Sequence, residues 1–281
     1  MPVNKKLRLL YDGFFDGLET FCHNMITYII ENRKLGKYSK TSPTREFKKQ
    51  VRDYWEKYNV RVSPKWAWYY ASKNGIYDPR YIPNTLYYTK IDQYFNKRKL
   101  GWGFNDKNYY SRIFPGVKQP DIILRKINGF ILDEKYNQIN KTQAWELISQ
   151  NTEIVCKPAL DTGSGRGLHF WNTKDDKDKI ERFLSDASSL DYVVQKVIKQ
   201  HPDLSKIHAS SINTLRIVSI LLDDGVHILS SNLRMGTGIE RIDNVTAGGI
   251  SCGIKDDGSL KMMASEYYSG VMMECHPQGT V

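Results

Sequence analysis

Residues 157–171, KPALDTGSGRGLHFW, place a Lys-Pro pair, three alternate glycines (Gly163, Gly165 and Gly167) and an aromatic-apolar run within fifteen positions. The flanks TEIVC and GLHFW are β-prone, so the stretch reads as strand, loop, strand. Lys157 ends the first strand, where its ammonium is carried on a fixed element as a point charge suited to a phosphate oxygen. Glycines in DTGSGRG accept positive φ and let backbone N–H groups approach an anion. Walker and dinucleotide loops run from strand into helix, and this one does not. A plain glycine-rich hairpin beside an exposed lysine accounts for the same letters, so the neighbouring sequence has to decide.

Downstream, DYVVQKVIKQHPDLSKI carries a strand into a polar connection whose backbone can serve a purine edge and whose side chains can serve a ribose. TLRIV sets Arg216 on a strand, and SSNLRMG sets Arg234 at the end of the next. Arginine on a strand suits phosphate or carboxylate, although a solvated face explains it equally well. IDNVTAGGIS follows, with Asn244 ahead of Gly248 and Gly249, a pair that a β-bulge also explains.

The chain has 281 residues, 40% of them hydrophobic and 12% aromatic, enough to bury a core and too apolar for disorder. No apolar run reaches the ~20 residues of a membrane helix. The basic start, MPVNKKLRLL, is followed by Asp12, Asp16 and Glu19, which break up any signal-peptide core. A cytoplasmic protein is expected. Cys22, Cys156, Cys252 and Cys275 are far apart, without a CxxC or a histidine at ligand spacing, and read as buried thiols. His201 and His276 stand beside no convincing nucleophile.

Residues 1–104 hold 20 Lys and Arg against 9 Asp and Glu, together with 12 of the 18 tyrosines. Residues 105–281 hold 21 against 22, so the whole excess of +10 lies in the first part. Two regions with different tasks are expected, 1–104 and 105–281. In the first, LETFCHNMITYIIENRKL reads as a helix stopped at Gly36. Ser42 and Pro43 cap a second helix, with Phe47, Val51, Tyr54 and Tyr58 on one face. A third runs through LYYTKIDQYFNKRKL to Gly101. In the second region INKTQAWELISQN and DDKDKIERFLSDASS read as helices among short strands. Two hairpins turn at Asp223-Asp224-Gly225 and Asp256-Asp257-Gly258. The fold class is α+β, an antiparallel or mixed sheet domain after a helical region.

The order CKPALDTGSGRGL, VVQKVIKQHP, INTLRIV, SNLRMG and DNVTAGGIS resembles the ATP-grasp superfamily. It is closest to the sugar-transfer-associated branch related to α-L-glutamate ligases, and NDKNYYSRIF resembles that unit's opening helix. The resemblance covers roughly 105–281. It implies ATP as cosubstrate with Mg2+. Lys107 and Lys157 would contact the nucleotide phosphates, and the loop Asp161, Thr162, Gly163, Ser164, Gly165 to Gly167 would close over them. Gln195, Lys196 and Val197 would hold adenine, mainly through backbone groups. Arg216 and Arg234 would face the γ-phosphate and the acyl-phosphate formed from it, with Asn244, Gly248 and Gly249 on the substrate side.

The family's later strand pair, which supplies Asp, Glu and Asn ligands to magnesium, has no counterpart before Val281. The metal ligands are therefore unassigned: Glu266 and Glu274 are oxygen donors without a recommending spacing, and the expected domain lacks its last strands. The resemblance implies a ligase that joins a carboxylate to an amine or related nucleophile through an acyl-phosphate, on small or glycan-linked substrates in polysaccharide assembly. Two other readings remain. One is a nucleotide-binding protein without catalysis. The other is a binder of nucleic acid or another anionic polymer through the basic, tyrosine-rich first region, although no nucleic-acid fingerprint appears there.

Overall fold

The computed structural model describes residues 5–38, 41–96, 101, 104–160, 162–163, 165–186, 190–239, 241–266 and 270–278. Asp161 and Ser164, two of the loop residues assigned to phosphate above, lie outside the described residues. The chain divides into two compact units, Met1–Arg98 and Lys99–Val281.

The first unit is helical: α1 (Lys5–Tyr38), α2 (Arg45–Glu56), α3 (Pro64–Asn74) and a run here called α4. In α4, α-helical Asn84–Leu86 and Asp92–Phe95 flank a π-helical turn, Tyr87–Ile91. α1 does not stop at Gly36. A mid-helix glycine costs only about 1 kcal/mol, and buried Glu31 and Leu35 anchor the turn before it. The N-cap of α2 is Thr44, not Ser42: its hydroxyl accepts the Phe47 amide at 3.2 Å. Phe47, Val51 and Trp55 of α2 bury against Ala67 of α3, whereas Tyr58, past the end of the helix, is exposed. α4 ends at Phe95, short of Gly101. Several of the tyrosines are used in packing: Tyr70 meets Trp66 and Tyr81, and donates its hydroxyl to Asn84 at 2.7 Å.

The second unit holds two antiparallel five-stranded sheets, as the α+β reading expects. The first contains β1 (Ile122–Ile127), β2 (Phe130–Asp133), β3 (Glu153–Pro158), β4 (His169–Asn172) and β5 (Tyr192–Lys196), in the order β2-β1-β5-β3-β4. Helices α5 (Lys141–Ser149) and α6 (Lys177–Ser185) lie between its strands in sequence. Asn140 and Gln143 form a reciprocal capping box that starts α5. Ala144 and Ile148 of α5 and Ile180 and Leu184 of α6 pack on Leu124, Ile154, Cys156 and Val194. That layer covers one face of the sheet, each buried Ile or Leu contributing about 1.5–3 kcal/mol.

The second sheet contains β6 (Thr214–Leu222), β7 (Gly225–Met235), β8 (Ile250–Ile254), β9 (Leu260–Glu266) and β10 (Met272–Met273), in the order β10-β9-β8-β7-β6. Both expected hairpins form, β6–β7 and β8–β9. Leu233, Met235, Ile250 and Cys252 share one face, covered by Leu204 and Ile207 from the connection after β5. The polar HPDLSKI segment therefore contributes to the core as well as to a surface. The buried-thiol reading holds for Cys156 and Cys252 and fails for Cys22 and Cys275, which are exposed; all four are free thiols. Among the described residues no helix is long and apolar enough to cross a membrane.

Candidate functional site

Strand alternation decides what the face of the first sheet turned away from the helices carries. Ile154 and Cys156 point to the helices, so Val155 and Lys157 point away. Lys157 pairs with Val193, and Val193 pairs with Arg125, which sets Arg125, Val193 and Lys157 in one cross-strand row. Gln195, opposite Val155, lies on the same face and is buried.

Lys107 joins this row from the short helical segment Lys107–Tyr109, capped by the Asp106 side chain. Its Nζ donates to the carbonyls of Pro158 (3.0 Å) and Ala159 (3.2 Å) and to Thr162 Oγ1 (3.4 Å). Its own amide donates to Ala159 at 3.1 Å. Lys107 is thus fixed at the root of the glycine loop, where β3 ends. Half-buried Lys157 has no hydrogen-bond or ion-pair partner among the described residues. Burial, and after it the charge of Lys107, lowers its pKa below the ordinary lysine range. A desolvated ammonium beside a second cation is an arrangement that an anion would stabilise.

Arg125 was not singled out by the sequence reading. It is 1% exposed, yet every arm of the guanidinium is occupied. Nε–H donates to Asn108 O at 2.9 Å, and the other nitrogens to Asp133 O, Glu134 O and Ser111 Oγ at 2.8–3.0 Å. Tyr136, held at φ +68°, lies 4.0 Å beneath both Arg125 and Arg112 and donates its hydroxyl to Asn108 O at 2.7 Å. The side chain of Asn108 is fully buried, with neither its oxygen nor its nitrogen bonded. The signal for Arg125 was a charged pair inside an apolar strand, IILRKI, since arginine is seldom buried unless paired. Its neighbour Lys126 turns to the helix side and donates to Asp186 O.

On the second sheet, the pairings Thr214–Arg234–Ser251 and Arg216–Asn232–Gly253 put both arginines on the polar face, on adjacent strands. Arg216 is exposed and Arg234 half-buried, and neither has a hydrogen-bond or ion-pair partner among the described residues.

Four consecutive residues tie the two sheets together. Arg241 forms a two-pronged ion pair with Glu153 of β3, its Nη2 to Oε2 distance 2.9 Å, and lies 3.9 Å over Phe170 of β4. Ile242 packs on Gly165, where φ is +72° and a Cβ would stand 2.7 Å from Ile242 Cδ1. Asp243 accepts from Thr214 Oγ1 of β6. Asn244 Oδ1 accepts from the Thr246 amide and hydroxyl and caps the turn Val245–Ala247. Gly248 closes that turn in the left-handed region. At Gly249 an added Cβ would stand 2.5 Å from the Asp243 carbonyl. Asn244, Gly248 and Gly249 therefore build this crossing, and nothing in the sequence pattern marked Arg241, Glu153 or Phe170.

Of the residues expected around adenine, Lys196 donates its amide to Asp121 O at 2.9 Å and pairs its ammonium with Asp121 Oδ2 at 3.2 Å. Gln195 Nε2 reaches Pro120 O at 3.5 Å, and Val197 follows directly after β5. A cleft of ≈ 890 Å³ opens there, lined by Asp121, Arg125, Asp133, Glu146 and Lys196 but by neither Lys107 nor Lys157. The lysine pair lies at the root of the glycine loop, outside the lining of this cavity. Among the described residues no three His, Cys, Asp or Glu side chains gather as metal ligands, so they offer magnesium no carboxylate cage.

The sugar-transfer associated ATP-grasp family model matches residues 87–281. The chain belongs to that family. Comparison with curated proteins and with solved structures finds no match.

Proposed function

We propose that the chain binds ATP between the Lys157 side of the first sheet and the arginine face of the second. There it activates a carboxylate for ligation. The carboxylate oxygen attacks the γ-phosphorus, the bond to the β-phosphate oxygen breaks, and ADP leaves. An amine or related nucleophile then attacks the carbonyl carbon of the acyl-phosphate and expels inorganic phosphate.

In this reading Lys107 and Lys157 take phosphate oxygens, and the loop through Gly163, Gly165 and Gly167 covers them. Arg216 and Arg234 stabilise charge on the transferring group, and Asn244, Gly248 and Gly249 shape the substrate side. Gln195, Lys196 and Val197 border the adenine. The Lys196 amide already serves Asp121, so recognition there falls to other groups. Positioning and charge stabilisation supply the rate enhancement. Magnesium would supply charge neutralisation at the phosphates when bound, and its protein ligands are unassigned. The acceptor belongs to glycan or polysaccharide assembly by family association alone.

The observation that carries the proposal is the unpartnered, half-buried ammonium of Lys157 beside Lys107 at the root of the glycine loop. Calorimetry with ATP and ADP tests it, with Mg2+ and again with EDTA. The expected result is nucleotide binding that Lys157→Ala weakens by at least about tenfold, the value of one charged contact. Binding unchanged by both Lys157→Ala and Arg216→Ala would overturn it. The lack of a carboxylate cluster among the described residues favours one second reading, nucleotide binding without transfer. It predicts that affinity is indifferent to Mg2+ and that no ADP is released with any acceptor.

A further inference from the structure

The polar face of the second sheet carries more positive charge than its two arginines supply. Residues of that face fall in rows across the strands: Thr214, Arg234 and Ser251, then Arg216, Asn232 and Gly253, then Val218 and Ser230. Lys255, two residues after Gly253, continues the face past the end of β8. Lys261 joins it from β9. The β8–β9 pairing steps from Cys252–Ala264 to Ile254–Leu260, so Lys261, Met262 and Met263 bulge opposite Gly253 alone. From that bulge the Lys261 stem lies across Gly253, where a Cβ would stand 2.8 Å from Cδ and 3.2 Å from Cε. Gly253 is not in the left-handed region, so its backbone does not call for glycine. What the missing side chain provides is room for the lysine.

A cavity of ≈ 600 Å³ opens beside this crossing, its lining including Ser230, Asn232, Gly253, Lys255, Lys261 and one acid, Asp256. Neither lysine, nor the side chain of Asn232, has a hydrogen-bond or ion-pair partner among the described residues. Two ammonium groups at one cavity with a single acid are stabilised by an anion. Rows along a strand are about 7 Å apart, so Lys255 stands one row beyond Arg216 and two beyond Arg234. A phosphoryl group held between the arginines leaves the lysine end to a different anion.

We propose that this cavity takes a second anionic group of the substrate, a carboxylate or phosphate carried on a polyhydroxylated molecule, while the carboxylate to be activated lies at the arginines. The inference rests on the ligase reading above and adds to it the charge of the substrate. Lys255 and Lys261 meet the anion as point charges, and Asn232 and Ser230 offer hydrogen bonds to hydroxyl groups. Asp256 supplies acceptors for further hydroxyls.

Titration of the isotope-labelled full chain with galacturonate, glucose 6-phosphate and neutral galactose, followed on backbone amides by NMR, tests this. One or both anionic sugars should shift Asn232 and Gly253 with a Kd of about 1–10 mM. The tighter of the two distinguishes carboxylate from phosphate. Galactose should bind at least about tenfold more weakly, since it brings no charge to the lysines. Lys255→Met with Lys261→Met should weaken the anionic sugar by at least about tenfold. Gly253→Ala should weaken it as well, because its methyl takes the space of the Lys261 stem. Both lysines are exposed, so the double variant should keep the wild-type circular dichroism. Its ADP affinity by calorimetry should stay within about twofold of wild type. No shift at Asn232 and Gly253 with either anionic sugar at about 50 mM would overturn the inference. Sugar binding that survives the double variant would do the same, and so would an ADP affinity that falls with the lysines. A chain that binds the anionic sugar through these lysines but binds no nucleotide would overturn the ligase reading alone.

Discussion

Arg125 and Asn108 meet through a single backbone oxygen: the arginine Nε–H donates to the Asn108 carbonyl at 2.9 Å. Lys107, the residue before, takes its place at the root of the glycine loop from the same short segment. A buried guanidinium on β1 therefore sets where a cation on a different element stands. Its four hydrogen bonds tie β1 to Asn108, Ser111, Asp133 and Glu134, and Tyr136 fills the space beneath it. Arg125 is a positioning residue in this account, acting through Lys107.

Arg125→Met should make this visible. It removes a planar fork that lysine cannot reproduce, while Asn108 O keeps the Tyr136 hydroxyl and Asp133 O the Tyr136 amide, so stability should fall by about 1–2 kcal/mol in chemical denaturation. Nucleotide affinity should fall by at least about tenfold, and combining the change with Lys107→Ala should cost little more than Lys107→Ala alone. An additive pair of effects in that double-mutant cycle would reduce Arg125 to a structural role. Hydrogen exchange across residues 106–110 should rise in Arg125→Met while β3 and β5 keep their protection. That readout needs no nucleotide.

Much of this arrangement was legible because it obeys local rules. The glycine loop, both hairpins, the Lys157 strand and the two arginine strands follow from alternation and turn chemistry, and they emerged where expected. What escaped was carried by tertiary contacts. Arg125 and Lys126 are neighbours of like charge, yet pleating sends one to the face of Lys157 and the other to the helices. Glu153 and Arg241 are 88 residues apart, and no propensity marks either. Gly36 reads as a stop but lies inside α1, because packing of Glu31 and Leu35 outweighs an intrinsic cost of about 1 kcal/mol. Asn244 and its glycines were selected for a ligand and are seen to build a turn first.

The Gly165–Ile242 contact separates two penalties that usually act together. Gly165→Ala should cost about 1–2 kcal/mol for the left-handed backbone, plus a clash of the new methyl with Ile242 Cδ1. Adding Ile242→Ala should relieve the second part and leave the first. Thermal unfolding of the two single variants and the double variant checks this. If the double variant is the sum of the singles, the methyl does not meet Ile242.

The Glu153–Arg241 pair has a definite pH signature. Arg241 holds the Glu153 carboxyl below the ordinary glutamate range. A depressed acid contributes stability above its unfolded value and loses it as pH falls through the folded one. The stability difference between wild type and Glu153→Gln should therefore be level near pH 7 and shrink below about pH 4.5. The carboxylate is one-third exposed and screened by solvent, so the plateau should be only about 1 kcal/mol. A difference that persists unchanged to pH 3 would show that the ion pair is not its source.

Lys157 should respond to pH in the opposite sense for stability and for binding. Burial, then Lys107, depresses its pKa in the folded chain. Between the folded value and the ordinary one near 10.4 the unfolded chain holds more protons, so stability gains from this group as pH rises. Nucleotide phosphates favour the charged form, so affinity should fall across the same window. Binding there should draw in up to about one proton. Calorimetry near pH 9 in buffers of different ionisation enthalpy measures that uptake directly. Wild type should take up a proton on binding ATP and Lys157→Met should not. Uptake that survives in Lys157→Met would assign the titration to Lys107 or another cation, and would remove Lys157 from the phosphate.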